Sequence, residues 1–176
     1  MGTIFVDNLE PQSGTSLTLG SSGDTVSLTS GAQTSGFGKI GQVVTTSAAI
    51  NTTISSTSLV EIDTSMRVTI TPSTSTSKIL YMLSFPFFTQ ANQTGIFIHI
   101  YRSVGGASFA DDSGELSRYA AYGSNDDKYE TATFHFLSSP TTTSSTIYTP
   151  YVKVNANNAN FGNTAKFNAT ALEVLD

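Results

Sequence analysis

Apolar and polar residues alternate with a period of two along most of this chain, and no segment holds a helical period for long. The alternation predicts strands over 40–46, 59–64, 67–71, 78–88, 95–103, 116–122, 129–137, 146–154 and 166–174. Turn-forming groups separate them: Thr71-Pro72-Ser73, Ala91-Asn92-Gln93, Gly105-Gly106, Ser124-Asn125-Asp126-Asp127, Ser139-Pro140, and the stretch from Asn155 to Asn163. Strands at this spacing predict an all-β fold, an antiparallel β-sandwich of jelly-roll-like form.

Two of these strands depart from the alternation. In 78–88, one face carries Ile79, Tyr81, Leu83, Phe85 and Phe87, and the other carries Leu80, Met82, Pro86 and Phe88. In 95–101, Ile96, Ile98 and Ile100 share one face, and Phe97, His99 and Tyr101 share the other. A sheet with one solvated face needs only one apolar face. The second apolar face predicts cover by another copy of the chain, because a large exposed apolar patch is costly. The expected subunit interface is Leu83, Phe85, Phe87, Phe88, Phe97, His99 and Tyr101, in a homotrimer.

The first 38 residues differ in texture. Gly14-Thr15-Ser16-Leu17-Thr18-Leu19 is echoed by Gly23-Asp24-Thr25-Val26-Ser27-Leu28, a turn followed by a sparsely apolar strand. Such a strand becomes stable when copies stack, or when it lies as a hairpin on a larger domain. Residues 1–38 therefore read as a β-rich stalk or attachment segment, joined through Thr34-Ser35-Gly36-Phe37-Gly38 to a sandwich domain at 39–176.

Composition narrows the function. Ser and Thr make up 52 of 176 residues, and charged residues only 12%. That is about half the ~25% usual for soluble domains, so hydroxyls and amides must solvate much of the surface. A net charge of −5 argues against nucleic acid as a partner, since the thinly spread Lys and Arg form no cluster that could neutralise several phosphates. Cysteine is absent, which removes disulfides and thiolate metal sites. The longest apolar run, near 79–88, is too short to insert in a membrane. The start, Met1-Gly2-Thr3-Ile4-Phe5-Val6-Asp7, lacks the basic and apolar regions of a signal peptide.

Catalytic chemistry finds little to stand on. The two imidazoles, His99 and His135, lie in apolar strands without acidic flanks, and no nucleophile elbow is present. No catalytic residue, metal set or cofactor is expected. The acidic groups Asp111, Asp112, Glu115, Asp126 and Asp127 read as solvated loop tips, although carboxylates of this kind also suit calcium. Phe109, Tyr122 and Tyr129 lie beside them in sequence. Aromatic rings with neighbouring carboxylates suit a glycan, so these eight residues are the expected place of any surface recognition.

The order of segments adds a resemblance. Thr3-Ile4-Phe5-Val6-Asp7 is followed by the Leu17-Thr18-Leu19 and Thr25-Val26-Ser27-Leu28 strands. Ser58-Leu59-Val60-Glu61-Ile62 comes next, then Val68-Thr69-Ile70-Thr71-Pro72 leading through Ser73 to Ser77 into Lys78-Ile79-Leu80. Tyr101-Arg102 and Phe136-Leu137-Ser138-Ser139-Pro140 complete the set. This order resembles small structural and tail-fibre-like virion proteins of tailed bacteriophages, marine ones especially. The resemblance implies a virion-surface appendage, either a tail fibre or a head decoration. It would be homotrimeric, non-enzymatic, held to other virion proteins by its N-terminal segment, and turned toward a host surface or its glycans. The competing reading from the residues is a lectin or adhesin-like glycan-binding module.

Overall fold

The computed structural model describes residues 40–89, 94–121 and 128–175. The expected stalk and its joint lie outside them. So do the turns at 91–93 and 124–127, with Tyr122, Asp126 and Asp127.

Among the described residues, eleven strands and one short 3-10 turn follow in chain order. They are β1 (Ile40–Ala49), β2 (Thr52–Ile54), β3 (Val60–Glu61), the turn Thr64–Met66, β4 (Val68–Ile70), β5 (Lys78–Thr89) and β6 (Thr94–Val104). Then come β7 (Ala110–Ala121), β8 (Lys128–Ser138), β9 (Thr146–Val154), β10 (Ala159–Phe161) and β11 (Lys166–Val174). The first sheet runs β1-β11-β5-β10-β2, with β8 on the other side of β5. The second runs β3-β9-β6-β7, with β4 also on β9. Every pairing is antiparallel. The described residues thus form the two-sheet antiparallel sandwich that their alternation predicts.

Alternate side chains of the long strands fill the space between the sheets. Ile79, Tyr81, Leu83, Phe85 and Phe87 of β5 meet Ile96, Ile98 and Ile100 of β6 and Tyr148, Val152 and Val154 of β9 in one buried cluster. Tyr81 and Tyr148 stack within it, with ring centroids 5.7 Å apart. Phe85, Phe87 and Phe161 pack as a second aromatic knot. Burying each such ring stabilises the fold by about 1.5–3 kcal/mol. This core accounts for Leu83, Phe85 and Phe87 within a single chain. They are core residues, and the expectation that they face another subunit is corrected.

The outward positions of the first sheet have two textures. One row crosses four strands as Val43, Leu172, Leu80 and Leu137, paired in register across β1, β11, β5 and β8. Another row crosses the same strands as Ser47, Asn168, Ser84 and Thr133, and the Ser84 and Thr133 hydroxyls meet at 3.1 Å.

Pro86 shapes the middle of β5. In an antiparallel ladder a residue turns its N–H and C=O toward the same neighbour. The Pro86 carbonyl accepts from the Gly162 N–H at 2.8 Å, and proline has no N–H to return. The neighbouring chain leaves the ladder at this point. β5 pairs with β11 up to Ser84 and with β10 from Phe87, and the link at 162–165 loops out between them. Gly162, Asn163 and Thr164 take φ of 89°, 41° and 68°, a left-handed run.

Candidate functional site: the outer face of the second sheet

The second sheet carries Phe97, His99, Tyr101, Asp111, Asp112 and Glu115, and their placement begins with a bulge. β7 opens at Ala110, well before the expected start at Leu116, because Asp111 to Glu115 are strand residues rather than a loop tip. Their low strand propensity hid this. The β6–β7 register shifts between Ile98 and His99 and again between His99 and Tyr101, so β7 carries extra residues there. Gly114, at φ 66°, supplies the left-handed conformation that such a bulge needs. The Ser113 hydroxyl accepts the Ile100 N–H at 2.8 Å, and Asp111 Oδ1 accepts the Gly114 N–H at 3.0 Å. Side chains thus replace the backbone acceptors that the bulge displaces.

Strand alternation sends the two adjacent aspartates to opposite faces and different partners. Asp111 turns outward and pairs with His99 Nδ1 at 2.7 Å. Asp112 reaches toward the end of the core, where Arg102 holds its carboxylate at 2.8 Å and Ser138 Oγ donates to it. Ser138 in turn accepts from Tyr148 Oη at 2.9 Å. Burial pushes the Tyr148 phenol up to about 12, with the nearby Asp112 carboxylate acting in the same direction. This chain of polar groups clasps the two sheets, since Ser138 belongs to β8 and the other members to β6, β7 and β9. Asp112 keeps only 11% of its side-chain surface in water. The expectation of a solvated loop acid is corrected for Asp112, and Asp111 and Glu115 are ion-paired strand residues.

The outward face itself is a mosaic of rings and charges. Tyr101 of β6 stacks on Tyr151 of β9, with centroids 3.9 Å apart and planes 14° from parallel. Phe109 lies 6.1 Å from Tyr151, and the Arg67 guanidinium sits 4.8 Å over Phe109. Arg67 is itself forked onto Glu61, two bonds of 2.7 Å, and this holds its pKa above the usual value. Desolvation raises the phenols of Tyr101 and Tyr151, helped by Asp111 and Glu61 respectively. At the other end, Arg118 and Lys153 lie 4.4 and 5.1 Å over the Phe97 ring, and Glu115 binds Arg118 at 3.1 Å.

Phe97, His99 and Tyr101 therefore have partners inside their own chain. The premise that this face must be covered by another subunit is corrected: stacking, cation–π contact and ion pairing cover it in part. The platform also contains Arg67, Glu61 and Tyr151, which sequence reading missed. Glu61 and Tyr151 are cross-strand partners of β3 and β9. The outward parity of Tyr151 and Lys153 in β9 was a usable signal for them.

Tyr129 is not part of this face. It lies on β8 in the first sheet, opposite Phe88 of β5, and the two rings stack at 5.2 Å. Phe88 thus belongs to the first sheet's outer side, away from Phe97, His99 and Tyr101.

No protein-family model matches the chain, and no curated protein sequence does. Solved structures with a similar fold include infectious bursal disease virus, Gt strain, at a TM-score of 0.46 and 10% identity over 87% of this chain and 42% of that one. The Gx strain aligns at 0.45 and 11% identity over the same shares. A subviral particle of VP2 from the same virus aligns at 0.40 and 11% identity, over 77% of this chain and 38% of that one. The chain spans less than half the length of the solved chains it resembles.

Proposed function

We propose that this chain is a structural protein of a virion surface, a fibre or a decoration, that assembles with copies of itself as a homotrimer. Its first 38 residues attach to other virion proteins, and a sandwich face meets the host surface. The observation that carries self-assembly is the row Val43, Leu172, Leu80 and Leu137 on the outer face of the first sheet. Val43 and Leu137 are 54% and 51% exposed, and Ile40 and Met82 extend the patch on its flanks. No described segment covers it. Contiguous exposed apolar patches on a folded chain mark contact surfaces. A closed trimer joins two different patches of neighbouring subunits. This sandwich presents two unlike faces, one aliphatic and one aromatic and charged.

Sedimentation of the full chain at micromolar concentration tests the reading. A trimer is expected, and the double variant Val43→Asp with Leu137→Asp should sediment as a folded monomer. A parent protein that is monomeric under these conditions refutes the proposal.

The mosaic of Tyr101, Tyr151, Phe109, Arg67 and Glu61 favours a second reading, a glycan-binding module of the lectin or adhesin kind. Glycan-array binding that is lost with Tyr151→Ala, by a protein with no tendency to self-associate, would select it.

A further inference from the structure

The loop that leaves the sheet at Pro86 opens a cleft that the virion reading does not use. Its volume is about 270 Å³, and it lies between β8 and the 162–165 link, over Pro86 to Phe88. That is just below the ~300–1,000 Å³ typical of drug-sized ligand sites, a size suited to one small ring.

We propose that this cleft binds a neutral pyranose ring. Its outward positions supply the two things such a ring needs. The first is a flat apolar wall. Tyr129 is 64% exposed, lines the cleft and stacks on Phe88. The C–H face of a sugar buries against such a ring, and Pro86 continues the apolar floor. The second is a set of uncharged hydrogen-bonding groups. Thr131 is the outward partner of Pro86 and offers a hydroxyl. Asn163 offers an exposed carboxamide, and Tyr129 a phenol. Glu130 also borders the cleft, but its cross-strand partner is the core residue Phe87, so by strand alternation its carboxylate belongs to the other side of the sheet. The outward set is therefore neutral, which selects a neutral ring over an acidic one.

The backbone supports a binding role. Asn163 and Thr164 hold left-handed φ values that non-glycine residues adopt at a cost, and such conformations cluster at ligand sites. Gly162, where the turn begins, anchors the loop to Pro86. The cleft shares the outer face of the first sheet with the aliphatic row, beyond the Ser84–Thr133 pair, and the platform of the second sheet lies on the opposite face of the sandwich.

Ligand-observed saturation-transfer NMR on the full chain is the test, with the methyl glycosides of glucose, galactose and N-acetylglucosamine as probes. At least one probe should show transfer to its ring C–H protons, with an affinity near ~1 mM as expected for a single shallow sugar site. Tyr129→Ala should weaken it by about tenfold or more, which corresponds to about 1.4 kcal/mol. Tyr129→Phe keeps the stacking ring and should bind within about threefold of the parent. Tyr101→Ala should leave binding unchanged. Tyr129 is largely exposed, so unaltered thermal melting will show that its variants fold. Absence of transfer to all three probes overturns the proposal. Transfer that survives Tyr129→Ala overturns it too, and loss on Tyr101→Ala alone would move the sugar to the second sheet.

Discussion

Asp112→Ala tests whether the polar clasp between the sheets holds the fold. The substitution removes the carboxylate that Arg102 grips at 2.8 Å and that Ser138 bonds. Removing one partner of a buried ion pair costs about 3–5 kcal/mol, because the other charge stays behind. Two features lower that figure here. The Arg102 side chain is 26% exposed, and it retains the Ser139 carbonyl at 3.2 Å as a second acceptor. A loss of about 2–3 kcal/mol remains, and at about 3–4 °C per kcal/mol for a domain of this size Tm should fall by ~6–12 °C. Differential scanning calorimetry at neutral pH measures it. Asp111→Ala is the control: its pair with His99 and its bond from the Gly114 N–H both lie nearer the surface, and together they should be worth less than the clasp. Adding Arg102→Met to Asp112→Ala should recover part of the loss, since no charge is then stranded. If Asp112→Ala melts within about 2 °C of the parent, or no lower than Asp111→Ala, the clasp contributes nothing and the reasoning fails.

Other consequences can be checked with the same material. The Tyr81 hydroxyl is buried without a hydrogen-bond partner among the described residues, so Tyr81→Phe should leave Tm unchanged or raise it. Tyr148→Phe breaks the bond to Ser138 and should cost about 1 kcal/mol; the same sign for both would contradict this account. A Cβ at Gly162 would collide with the Ile50 carbonyl and lie 2.5 Å from Ile50 Cγ1, so Gly162→Ala should prevent soluble expression. Gly106→Ala, at φ 83° with nothing within 4 Å, should cost only the ~1–2 kcal/mol of a left-handed alanine. Burial opposes ionisation of Glu173, but bonds from the Ser73 N–H and hydroxyl at 2.6 and 2.7 Å, and from Gln42, outweigh it and hold the pKa below 4.5. Its stabilising effect is therefore complete above about pH 4.5 and fades as pH falls through the lower folded value. Urea unfolding from pH 7 to pH 3 should show the gap between parent and Glu173→Gln closing only at the acid end.

What the alternation exposed was the set of long strands. β9 and β11 match their expected bounds, and the inward residues of β5 and β6 form the core, because burial on one face imposes a strict period of two. β2 and β10 were hidden, as strands of three residues carry too little pattern to read, and β10 lies inside an Asn-rich stretch that resembles a loop. The expected strand at 59–64 shrinks to Val60–Glu61, because the Asp63 side chain caps a 3-10 turn through the Ser65 N–H. Both faces of β5 and β6 are apolar, as read, but chain pattern alone could not say what covers the second face. Phe97 is covered by Arg118 and Lys153, residues from two other strands, and such neighbours are known only once strand order is known. The acidic cluster misled for a similar reason. Asp111 and Asp112 are adjacent in the chain, yet one belongs to the surface and the other to the junction of the sheets.

The row of Ser47, Asn168, Ser84 and Thr133 bears on how densely such chains can be crowded. A face solvated by hydroxyls and amides holds its water without a counter-ion cloud. Two such faces can approach with little Coulomb repulsion, and ionic strength changes little between them. A lysine and glutamate surface would swell or stick as salt is diluted or concentrated. With a net charge of only −5 over 176 residues, long-range forces on this chain should change little with ionic strength.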